Sequence, residues 1–104
     1  MVKEDVAAAT YGELVMARPA TVVGEAGYVD TAPTGAALIV DIEKNGTSIY
    51  AIRPQFAASA TSLSAGTLGA TAVFVSGDRI SFKIDQIGSS EPGEGVRFTL
   101  KCKV

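Results

Sequence analysis

Alternation of apolar and polar residues is cleanest at the end of the chain. Val96, Phe98, Leu100, Cys102 and Val104 fall on one side of an extended run, and Arg97, Thr99, Lys101 and Lys103 fall on the other. A period of two predicts a half-buried strand. By the same parity Cys102 points inward, as a buried structural thiol. Arg79 to Ile87 repeats the pattern, with Ile80, Phe82 and Ile84 alternating with Ser81, Lys83 and Asp85. Two strand-prone runs, Leu38 to Lys44 and Thr47 to Ile52, flank Asn45-Gly46. That dipeptide suits a two-residue type I′ turn, in which both positions take positive φ. The turn sets Lys44 opposite Thr47, Ile42 opposite Ile49 and Val40 opposite Ala51. A second hairpin is predicted from Ala70–Ser76 to Arg79–Ile87 through Gly77-Asp78, with Val75 opposite Ile80 and Val73 opposite Phe82.

The remaining stretches are shorter. Thr21 to Val23 and Ala26 to Thr31 read as strands broken by Gly24. Ala32-Pro33-Thr34-Gly35 and Pro92-Gly93 read as turns. Pro54 ends the strand before it, because proline donates no hydrogen bond. Gln55 to Leu68 is rich in Ala, Ser and Thr, with Phe56 and Leu63 as apolar anchors. It reads either as a crossover between sheets or as a contact loop for a neighbouring subunit. Met1 to Arg18 reads as an extended arm running into a short strand at Glu13 to Ala17. A helix after Asp5 is the alternative, and Gly12 opposes it. The prediction is an all-β fold: an antiparallel β-sandwich of about seven or eight short strands, with the jelly roll as one form it can take. Residues 1–18 are the arm and 19–104 the sandwich domain.

Composition narrows the function. The chain has 104 residues, one domain by size. Net charge is −2, and the nine Lys and Arg are scattered. No basic stripe marks a nucleic-acid binder. No apolar run has the length of a membrane span, and the charged start leads to no signal-type core, which predicts synthesis in the cytoplasm. There is no histidine, the commonest general base and metal ligand, and only one cysteine.

Candidate chemistry is sparse. Asp41 and Glu43 share a strand face, and Asp78, Asp85, Glu91 and Glu94 follow. None has calcium-loop spacing, so solvated or turn roles are expected for all six. No Gly-x-Ser-x-Gly elbow is present. Asn45-Gly46-Thr47 matches a glycosylation sequon, but the turn already explains these residues. The expectation is a non-enzyme with no metal and no cofactor.

Apolar residues exceed what one buried face per sheet requires. Val40, Ile42, Ile49 and Ala51 share a face of the first hairpin, while Ile39, Tyr50 and Ile52 lie on the other. Val73 and Val75 oppose Phe74 in the second. Either the arm or the long loop covers the surplus, or a partner does. The candidate protein contacts are Val6, Tyr11, Leu14 and Val15 in the arm, and Ile39, Tyr50, Ile52 and Phe74 in the hairpins.

The string Pro33-Thr34-Gly35-Ala36-Ala37-Leu38-Ile39-Val40-Asp41-Ile42-Glu43-Lys44-Asn45-Gly46-Thr47-Ser48-Ile49-Tyr50 resembles a segment of small structural proteins of tailed bacteriophages. Arg53-Pro54, Gly77-Asp78, Ile84 to Ser90 and Pro92-Gly93 extend the likeness over roughly residues 32–104. It implies a virion part and carries no catalytic residue. With no heptad and no repeat of the kind that builds a fibre shaft, the chain looks more like a capsid decoration or cement protein. Its partners would be the major capsid protein or other virion proteins, with self-association into a homo-oligomer. A tail-fibre or baseplate-associated module is one alternative. A carbohydrate-binding β-sandwich is another, thinly supported by Tyr11, Tyr28 and Tyr50 without tryptophan.

Overall fold

The computed structural model describes residues 9–69 and 72–103. Among them there is no helix. The strands are β1 (Ala9–Val15), β2 (Ala20–Tyr28), β3 (Leu38–Lys44), β4 (Thr47–Ser48), β5 (Tyr50–Ile52), β6 (Gln55–Phe56), β7 (Thr67–Leu68), β8 (Val73–Phe74), β9 (Arg79–Gln86) and β10 (Arg97–Lys103). One sheet runs β1-β9-β3-β4, with β6 also on β3. A second runs β10-β2-β8, and β5 and β7 form a small ribbon. Every pairing is antiparallel. The fold is an all-β, sandwich-like one. The predicted arm is, from Ala9 onward, an edge strand on β9, with Leu14 opposite Ile80.

The first turn forms as its residues dictate. Asn45 has φ 52° and Gly46 φ 89°, the left-handed pair a type I′ turn needs. Lys44 faces Thr47, and the Ile49 amide donates to the Ile42 carbonyl at 3.0 Å. The predicted pairing of Val40 with Ala51 does not form. The Val40 amide donates instead to the Pro54 carbonyl, and Tyr50–Ile52 swings out to pair with β7. The cause is Asp41. Its carboxylate is fully buried, and Ser48 and Arg53 fold over to meet it.

The second predicted hairpin is not found. Asp78 donates its amide to the Val75 carbonyl, so the turn is centred on Ser76-Gly77, with Gly77 at φ 93°. Met16 inserts beside β9: its amide donates to the Asp78 carbonyl and its carbonyl accepts from Gly77. β8 is therefore displaced onto β2, where Phe74 faces Ala20. Phe74 consequently points into the core.

The long stretch after Pro54 is tethered at both sheets. Gln55 and Ser64 exchange backbone bonds at 3.1 and 2.8 Å, while Val29 donates to Thr61 and Leu63 to Gly27. This is the crossover reading. Phe56 is buried and Leu63 packs on the core, the anchors expected of them.

The core has two clusters. Val29, Leu38, Val40, Phe56, Ile84 and Val96 make one, and Val22, Ile42, Ile49, Tyr50, Ala72 and Phe74 the other. Phe82 of β9 and Phe98 of β10 touch both, edge to face with centroids 5.2 Å apart. Cys102, predicted to be buried, is exposed. Its parity is inward, opposite buried Val22. But among the described residues β10 is the last strand of its sheet, and the sandwich is open along that side.

Candidate interaction groove

The open side is a groove of about 410 Å³. Register explains its lining. Gly12 and Leu14 of β1 stand opposite Phe82 and Ile80 of β9, so these four positions share the inner face of the first sheet. Phe98 and Leu100 of β10 stand opposite Gly27 and Glu25 of β2, on the inner face of the second sheet. Ile42 of β3 forms part of the floor. Glu13 is the one charged residue in the lining. The groove is therefore apolar and bounded by two strands, β1 and β10, that have no further neighbour in their sheets among the described residues.

The candidate contact residues divide. Leu14 and Val15 are 72% and 67% exposed, and Ile52 is also exposed. Ile39 is half-buried. Tyr50 and Phe74 are core residues and present no surface, contrary to expectation. The reason for Tyr50 is the excursion of β5, and for Phe74 the transfer of β8 to β2. Tyr11 is described only as a position in β1, and Val6 lies outside the described residues. Sequence reasoning missed Ile80, Phe82, Phe98 and Leu100 as groove residues, because parity alone assigns them to a closed core. Alternation marks the face these residues share, but which strands end a sheet is set by pairing, which the pattern does not encode.

Polar groups inside the fold are tied to one another. The Ser48 hydroxyl donates to Asp41 Oδ1 at 2.6 Å, and Arg53 Nε lies 3.1 Å from Asp41 Oδ2 and 2.8 Å from Asp85 Oδ2. Lys83 adds a second cation 3.5 Å from Asp85. The buried Asp41, predicted to be solvated, is thus compensated, and its hydrogen bond and charge hold the Arg53 guanidinium above its ordinary range. On the opposite sheet Glu25 is buried and accepts the Gly66 amide at 2.9 Å. Tyr50 lies beside it; burial first, then the Glu25 charge, push the phenol well above its usual value. A phenol so held stays protonated near neutral pH. At the far tip Asp78 accepts from the Val75 amide at 2.8 Å and the Asn45 side chain at 3.0 Å, and the Lys44 ammonium lies at 3.6 Å. The backbone bond, then the Asn45 bond, hold its carboxyl below the usual range.

Among the described residues no group of three His, Cys, Asp or Glu is arranged to hold a metal ion, and no helix is long and apolar enough to cross a membrane. Comparison with protein-family models, with curated proteins and with solved structures finds no match to this chain.

Proposed function

We propose that this chain is a structural component of a tailed-phage virion, a decoration or cement protein that docks on the assembled capsid. The observation that carries the reading is the apolar, open-sided groove lined by exposed Leu14, with exposed Val15 and Ile52 outside it. A contiguous apolar surface of this kind suits contact with protein better than turnover of a small polar substrate. The likeness of Pro33 to Tyr50 to phage structural segments supplies the setting. The mechanism is mass action: a protein that binds only the assembled shell stabilises that shell, and many symmetry-related copies multiply the effect.

The carbohydrate-binding alternative draws less support. Tyr50 is buried, and Arg97 sits over the exposed Tyr28 ring with its guanidinium carbon 5.1 Å from the ring centroid. The test is rebinding. Particles stripped of this protein should take up the purified chain in numbers comparable to the major capsid protein and resist heat better afterwards. A few copies per particle would support the tail-fibre or baseplate alternative. No uptake at all would sink both.

A further inference from the structure

Among the described residues the two strands that border the groove are both open edges, and they lie on the same side of the sandwich. We infer that a second copy of this chain docks there as a two-fold dimer, each β1 pairing with the partner's β10. The inference goes beyond the virion reading and does not depend on it; where the dimer fills the groove, docking on a shell falls to exposed apolar residues outside the groove, Val15 and Ile52. It assigns the expected self-association to two named edges.

The argument starts from symmetry. A two-fold axis along the open side, between the two layers, exchanges the layers. The five-stranded sheet of one copy is then continued by the three-stranded sheet of its partner, and the reverse holds in the other layer. Both pairings form at once, as an isologous contact requires. An unpaired edge presents a row of free amides and carbonyls, and such edges recruit strands unless they are blocked. β1 contains neither Lys nor Pro, the usual blockers; β10 carries Lys101 and Lys103, which block it against most strands and leave it open to one that brings an acid.

Side-chain parity selects β10 as the partner of β1. On the inner face, Leu14 would join Phe98, Leu100 and exposed Cys102 of the partner, apolar against apolar. On the outer face, Glu13 would meet Lys101 and Lys103, acid against base. Both lysines are exposed, and Glu13 shares its face with Ser81, from which it accepts a hydrogen bond at 3.1 Å. β10 against β10 is disfavoured. Antiparallel pairing centred on Leu100 sets Lys103 opposite Arg97, and like charges directly opposite repel. β1 against β1 would leave the half-buried Phe98 and Leu100 wet.

Light scattering of the full chain should give twice the mass of one chain. Glu13→Lys alone and Lys101→Glu/Lys103→Glu alone should each give monomers with the circular dichroism of the wild type. Mixing these two variants should restore a dimer containing one of each, because one β1–β10 contact then has its charges swapped and the other keeps the native ones, opposite in sign in both. Leu14→Lys should also give a folded monomer, since Leu14 is exposed within one chain. A wild type that is monomeric at its highest soluble concentration overturns the inference. So does a dimer indifferent to these substitutions, a mixture that stays monomeric, or an assembly larger than two.

Discussion

At the scale of single residues, two polar clusters decide what the backbone can do. Asp41 is the stronger. It stands in the apolar run Leu38 to Ile42, and the chain from Ser48 to Arg53 bends to serve it. Arg53→Ala should leave that carboxylate buried without its cation and cost about 2–3 kcal/mol, reduced from a fully enclosed pair because Arg53 is half-exposed. Asp41→Asn in the Arg53→Ala background should recover part of the loss in urea denaturation. If the single variant keeps the wild-type midpoint, the pair does not hold the excursion. Asp78 is the other. Its folded-state carboxyl is held below the ordinary range, so its contribution to stability is present above the unfolded value of about 4 and is lost as pH falls through the folded value. Asp78→Asn should therefore lose less stability than wild type between pH 7 and pH 3, and equal losses would refute its assignment.

Among elements, the edge strand β1 offers the sharpest test. Leu14 and Gly12 cover one side of Ile80 and Phe82. Removing residues 1–15 should bare β9, lower stability by about 2 kcal/mol or more and promote aggregation through the new edge. A 1–15 deletion as stable as the full chain would mean that β1 contributes nothing to the fold. β1 also shows where sequence reasoning stops. Asn45-Gly46 and the alternation of β9 were legible because turn chemistry and period are local. The partner of β8 was not, since Ser76-Gly77 defines a turn without saying that Met16 will take the neighbouring place. Cys102 misled for the same reason: parity assigns a face, but only topology says whether that face is covered. The groove was legible only through Leu14. Its other wall needed the knowledge that β10 ends a sheet.

Over the whole molecule, the question is whether two clusters make one cooperative unit. They share no buried residue, and the partly buried Phe82 and Phe98 pack against both. Tyr50 reports on the second cluster, and circular dichroism reports on all strands. With Tyr11 and Tyr28 changed to Phe, Tyr50 fluorescence and circular dichroism should give coincident urea transitions, as a two-state domain of this size requires. Phe82→Ala should lower the midpoint by the equivalent of about 2–3 kcal/mol, less than for a fully enclosed ring because Phe82 borders the groove. It should also separate the two transitions, because it removes the edge-to-face contact and half of the bridge. Phe82→Leu fills most of the space and should keep them coincident at an intermediate midpoint. Coincident transitions in Phe82→Ala would mean that strand pairing between β9 and its neighbours, and not the aromatic bridge, couples the two halves of the core.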